Sequence, residues 1–182
     1  IKTYVCNVDK DYFIERTKEY AEGIFKNALT SPDNFLMVDQ IVPSSNIEDF
    51  LPYFNDIKIF LVDRDPRDLY LSEKYVWREG VVPASPEEFV EWYKYCRKDQ
   101  KRYIENENVC FLRFEDMIYD YENTKRKIVR FAGIDEERHI NPLSKFNPEI
   151  SKKNTKLYLK YPQEKENIKI IEERLSEYLY NS

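Results

Sequence analysis

Short continuous apolar runs alternate with longer stretches of helical spacing along this chain. Ile57 to Val62 is a run rich in β-branched and aromatic residues, the pattern of a strand buried on both faces as in a parallel sheet. Asn108 to Phe114 is a second such run, and Asn34 to Val38 a third, shorter one that breaks at Asp39-Gln40. Between them the period changes. Asp9 to Leu29 carries Tyr12, Phe13, Arg16, Tyr20, Ile24 and Phe25 near helical spacing and stops at Thr30-Ser31-Pro32. Ser45 and Glu48 have capping-box spacing for a short helix bearing Ile47, Phe50, Leu51 and Phe54. Asp65-Pro66 opens a helix that runs to about Trp77, and Ser85-Pro86-Glu87-Glu88 opens another that runs to about Glu105. The inner face of the latter carries Phe89, Trp92, Tyr93, Cys96 and Tyr103. Thr124 to Phe131 is helical with Gly133 placed to end it. Pro162 opens a last helix with Ile168, Ile171, Leu175 and Leu179 on one stripe. Ile1 to Val8 alternates loosely and fits a strand or a linker, and Ile150 to Tyr161 is polar and basic. Strands separated by helices predict an α/β chain, a parallel sheet flanked by helices, with ligands at the carboxyl ends of the strands.

A chain of 182 residues, 42% hydrophobic and 15% aromatic, suits one folded domain over 1–182 rather than a disordered segment. The net charge of −5 speaks against a nonspecific nucleic-acid binder, so an anion site here has to be local. Cys6, Cys96 and Cys110 are widely spaced and give neither a disulfide framework nor a metal signature. Reduced thiols point to the cytoplasm. No stretch of about 18 apolar residues predicts a membrane span.

The chemistry gathers where the Ile57–Val62 run ends. Arg64 falls on the turn before a helix opened by Asp65-Pro66. A helix N-terminus favours anions through its unpaired N–H groups and its dipole. Arg64 adds a planar fork matched to phosphate. Asp68 and Ser72 are spaced i,i+4, so the Ser72 hydroxyl shares the face that looks back at the turn.

This segment, Arg64-Asp65-Pro66-Arg67-Asp68 followed by Ser72, resembles the 3′-phosphate-binding motif of sulfotransferases that use 3′-phosphoadenosine 5′-phosphosulfate (PAPS). The resemblance implies a P-loop-NTPase-like sulfotransferase fold, and it makes Arg64 and Ser72 ligands of the 3′-phosphate. A second block, Val109 to Ile118 with Asp120 and the ending Arg130-Phe131-Ala132-Gly133-Ile134, is similar to the family's Tyr-Glu-Asp-Leu block and its helix. By that likeness Phe114 contacts adenine, by stacking only since it lacks a phenol; as a residue alone it reads rather as a core aromatic, and its register with the first motif favours the adenine role. Ile150 to Leu159 resembles the family's late loop, where an Arg-Lys-Gly sequence covers the 3′-phosphate. Lys152 and Lys153 are the nearest equivalents, without the Arg or the Gly, and by themselves read as solvated charges.

Cytosolic relatives carry a catalytic His about two dozen residues before the motif. Met37 to Pro43 corresponds here and holds no His. Asp39 is the titratable side chain in that stretch, a base for the acceptor hydroxyl if burial raises it, or else a turn cap. His139 lies in a polar stretch and reads as surface. The family's Gly/Ser/Thr-rich 5′-phosphosulfate loop has no counterpart, because Gly23, Gly80 and Gly133 stand alone. The likeness therefore covers roughly Phe35 to Tyr161, and the chain is expected to be the C-terminal part of a longer protein, lacking the first strand and that loop.

The resemblance implies sulfuryl transfer from PAPS to a hydroxyl acceptor, a small molecule or glycan, with no metal. Carbohydrate is the expected acceptor class, since many members with an Arg-Asp-Pro-Arg string act on sugars. This chain would supply the 3′-phosphate and adenine half of the site. Two other readings stay open. Asp63-Arg64-Asp65 is an Asp-x-Asp at a strand end, as in metal-dependent nucleotide-sugar glycosyltransferases. A noncatalytic interaction domain that kept the fold is the other.

Overall fold

The structure is a computed structural model that describes residues 7–29, 31 and 34–181. Most of the strand or linker expected at the N-terminus, with Cys6, lies outside these residues, as do Thr30 and Pro32 of the expected helix stop. The chain forms two compact units, one ending at Ile57 and one beginning at Lys58.

In the first unit, α1 spans Lys10–Ala28. Asp9 caps it, its carboxylate accepting from the N–H groups of Asp11 and Tyr12 at 3.1 and 3.0 Å. Its aromatic stripe meets the 3₁₀ turn Leu51–Tyr53 and the residue after it. Phe13 lies edge-on to Tyr53 and Phe25 stacks on Phe54, both at 6.2 Å between centroids. The helix expected after Ser45 forms instead as two 3₁₀ turns, Ile47–Asp49 and Leu51–Tyr53, and Asn46 rather than Ser45 holds the cap position. Pro52 has no N–H to continue an α-helical ladder through this stretch. The strand expected over Asn34–Val38 does not form. That segment is irregular and exposed, with Met37 93% accessible. An apolar run becomes a strand only with a partner ladder, and among the described residues no strand lies in a ladder with it.

In the second unit, β1 (Ile59–Asp63) pairs parallel with β2 (Val109–Arg113), in register from Ile59 opposite Val109 to Asp63 opposite Arg113. Helices α2 (Pro66–Ser72) and α3 (Pro86–Cys96) make the crossover between them. A parallel pair requires such a crossover. The expected parallel strands flanked by helices are present. β1 is not buried on both faces, however: Val62 is 55% exposed. α3 begins where expected, with Ser85 Oγ accepting from the Glu88 N–H at 3.4 Å. It ends at Cys96 rather than near Glu105, because the backbone soon turns left-handed at Asp99 (φ 63°) and resumes as the 3₁₀ turn Gln100–Tyr103.

Two short helices follow β2 directly: α4 (Phe114–Tyr119) and α5 (Tyr121–Ala132). Gly133 closes α5 in the left-handed region (φ 67°), its N–H donating to Arg130 O at 3.2 Å. α6 (Pro148–Ser151) leads into the 3₁₀ turn Lys152–Asn154, and α7 (Lys165–Arg174) is the last α-helix. Leu179, expected on that helix stripe, lies beyond its end. The core joins α2, α3 and α7 through Tyr70, Leu71, Phe89, Tyr93, Ile168 and Ile171. Burying α2 on this core holds the turn before it, and so Arg64, in place.

Candidate functional site

β1 delivers the chain to Arg64, and Asp65 caps α2 by accepting from the Arg67 N–H at 2.9 Å. Arg64 is buried, and Nη2 donates to Ser72 Oγ at 2.8 Å and to Asn154 O at 2.6 Å. The i,i+8 spacing works because Ser72 closes α2 two turns on, on the face that looks back at the turn. Both bonds use Nη2. The buried Nε has no partner among the described residues. An unpaired buried donor on a cation costs about 1–3 kcal/mol or more, a cost that an anion paired with this guanidinium would relieve. Burial pushes the Arg64 guanidinium down from its ordinary value, against the pull of Asp68, Glu115 and Asp65.

Three buried carboxylates hold the loops round Arg64. Asp65 takes Arg67 Nε and Nη2 at 3.0 and 2.7 Å, and the N–H of Tyr180 at 3.0 Å. Arg67 reaches on to Glu172 at 2.9 Å, with Tyr158 3.9 Å below its Cζ. Glu115 accepts from the Asp65 N–H at 2.8 Å. Asp68 accepts from the N–H groups of Lys156 and Leu157, each at 2.7 Å. That clamp ties the segment after α6 to α2 and brings the Asn154 carbonyl onto Arg64. It also holds Lys156 in the left-handed region (φ 53°), a conformation that costs a residue with a side chain about 1–3 kcal/mol.

The same clamp should be visible in a titration. Burial first, then the charge of Asp65, pushes the Asp68 carboxyl up to about 6 from 3.8, although two backbone N–H groups and Arg64 oppose this. The folded chain thus binds this proton more tightly than the unfolded chain, and stability falls as pH rises from 3.8 to about 6 on this group's account. Burial raises Glu115 as well, with the same sign. Asp68→Asn should therefore flatten part of that slope, read as the urea midpoint across this window. A slope unchanged from wild type would remove Asp68 as its source.

Two rings border the guanidinium. Phe114 begins α4 with its centroid 4.9 Å from Arg64 Cζ, and Trp77 lies 5.4 Å from it. Trp77 ends a single π turn, Glu73–Trp77, that extends α2 and closes with a left-handed Arg78 (φ 59°).

The family model of the sulfotransferase domain matches residues 46–176, well over half of the chain. The chain belongs to the sulfotransferase domain family. No curated protein and no solved structure matches it. The domain is that of transferases that move a sulfuryl group, and a small molecule is the implied acceptor. No described helix of this sulfotransferase domain is long and apolar enough to cross a membrane.

The matched span contains Arg64, Ser72, Phe114, Lys152 and Lys153 and leaves Asp39 outside. The structure brings Arg64, Ser72 and Phe114 together. Lys152 and Lys153 are exposed on the turn whose next residue, Asn154, gives its carbonyl to Arg64. Asp39 sits in the first unit on an exposed bend, without the burial that its role as a base asked for. His139 is exposed, as expected. Asp63 and Asp65 do not present an open pair of carboxylates. Asp63 is bound by Arg97 and lies 3.8 Å from Arg113, while Asp65 is closed by Arg67 and Tyr180. Trp77, Glu115 and the Asp68 clamp were missed. Asp68 and Glu115 stand inside the two motif blocks, but which backbone groups they hold is a long-range matter that spacing does not encode.

Proposed function

We propose that this chain binds the 3′-phosphoadenosine part of PAPS and serves sulfuryl transfer to a hydroxyl-bearing acceptor. The observation that carries this reading is the buried Arg64 fork, held by Ser72 and by the Asn154 carbonyl, with its Nε left without a partner among the described residues. A dianionic phosphate satisfies that donor and offsets the burial of the charge. Arg64 and Ser72 would hold the 3′-phosphate, Lys152 and Lys153 would add charge above it, and Phe114 would carry the adenine face. The donor supplies an activated sulfuryl group, released to the acceptor oxygen as 3′,5′-ADP departs. The protein's own work is to bind, orient and shield, as for phosphoryl transfer.

Carbohydrate is the acceptor class we favour, on the likeness of Arg64-Asp65-Pro66-Arg67 to carbohydrate sulfotransferases. The base is assigned to Asp39 on position in the sequence alone. Asp39→Asn should lower turnover with little effect on nucleotide binding, and unchanged turnover eliminates it. The three widely spaced cysteines, which form no disulfide framework in the sequence, fit a reducing, cytoplasmic setting. The metal-dependent glycosyl transfer reading is disfavoured by the arginines that occupy Asp63 and Asp65.

Calorimetric titration with 3′,5′-ADP, 5′-AMP, and UDP with manganese tests the proposal. Preference for 3′,5′-ADP without metal is expected. Preference for UDP with manganese would turn the reading to glycosyl transfer. No binding of any of the three would favour a noncatalytic interaction domain.

A further inference from the structure

We infer that Trp77 is a contact residue for the base of a nucleotide held at Arg64, setting the site's preference for ligands that carry an aromatic ring. This rests on the function proposed above and goes beyond it, since no motif block includes Trp77.

Three observations carry it. Trp77 is within 5.4 Å of the Arg64 cation, yet 47% of its surface is left to solvent. The other tryptophan, Trp92, packs against the core beside Phe89, so leaving indole in water is not the habit of this chain. Burying such a ring is favourable in proportion to the area removed from water, and here about half of that is unrealised in the free protein. Second, the backbone is arranged to put the ring there. After Ser72 the helix widens into one π turn, with the Arg78 N–H bonded to Glu73 O at 2.9 Å, and Arg78 then stops it in the left-handed region. An ordinary α-turn would place residue 77 about one position further round the axis. Single π turns of this kind recur at functional sites. Third, the site already has a ring on the same guanidinium, Phe114 at 4.9 Å. A phosphate that pairs with Arg64 therefore arrives beside aromatic surfaces, and the half-exposed indole is within reach of what the phosphate carries.

The roles of Arg64 and Trp77 are separable. Arg64 reads the 3′-phosphate, which 5′-AMP lacks, whereas Trp77 reads the base, which both nucleotides have. Trp77→Ala is thus expected to weaken 3′,5′-ADP and 5′-AMP by the same factor, about five- to a hundred-fold for a lost base–aromatic stack. Trp77→Phe should keep most of the affinity. Nucleotide should also change the indole emission of the wild-type protein, and this change should vanish in Trp77→Phe, which retains Trp92. Equal affinities in wild type and Trp77→Ala, with no emission change, would overturn the inference. So would a loss confined to 3′,5′-ADP, because Trp77 would then act only by holding Arg64. Both of these outcomes come with a wild-type preference for 3′,5′-ADP over 5′-AMP. A wild-type protein with no such preference instead overturns the proposed function, and this inference with it.

Discussion

Arg64→Ala is expected to weaken 3′,5′-ADP about ten- to a hundred-fold while leaving 5′-AMP nearly unchanged, because a charged hydrogen bond to phosphate is worth roughly 1.5–3 kcal/mol. The asymmetry is the informative part. The side chain is buried, its Nη2 is spent on Ser72 and Asn154, and its Nε has no partner among the described residues. An added 3′-phosphate gains that donor, and a nucleotide without one does not. Arg64→Lys keeps the charge but not the fork and should fall between the two. Arg64→Ala also takes from Asp68 and Glu115 a cation that interacts with both, so the urea midpoint has to be followed beside the calorimetry. Equal losses for both nucleotides at an unchanged midpoint would remove Arg64 from the phosphate role.

Asp65→Ala should be the most damaging single change to stability in this region, at about 3–5 kcal/mol. Asp65 is buried and is the hub of the turn. It caps α2, pairs with Arg67, and accepts from the Tyr180 N–H. Without it Arg67 remains buried, with the more exposed Glu172 as its remaining ion-pair partner among the described residues. The expected loss is a large share of the about 5–15 kcal/mol that holds a typical domain together. Asp65→Asn retains an oxygen for the cap and should cost less. The measurement is urea unfolding, with and without manganese. A metal ligand would show itself as a wild-type midpoint raised by manganese and a midpoint of Asp65→Ala that no longer responds. With Asp65 closed by arginine, manganese is expected to leave both midpoints where they are.

Local signals were strong where local chemistry decides. The Asp65-Pro66 and Ser85-Pro86 helix starts lie where the side chain and the proline ring dictate, and Gly133 ends α5 because a left-handed residue is wanted there. The apolar runs at Ile57 and Asn108 became the two strands, whereas the one at Asn34 did not. Run length and composition were alike in kind, and the difference was whether a second strand lay alongside. α3 was expected too long because apolar spacing continued past Cys96, while the turn at Asp99 depends on backbone geometry that periodicity does not report.

The same division runs through the site. From the order of residues alone come the strand–turn–helix, Arg64 on the turn with Ser72 on the helix face that looks back at it, the aromatic at 114, and the family to which these belong, all read from short local motifs. Tertiary structure decided the rest. It set the Asn154 carbonyl on a guanidinium ninety residues earlier, gave the two N–H groups of Lys156 and Leu157 to Asp68, closed Asp63 and Asp65 with arginines, and stood Trp77 beside Arg64. Buried polar groups must find partners somewhere, and which partners they find is settled only when the loops pack, because the chain between them carries no record of the distance it will close.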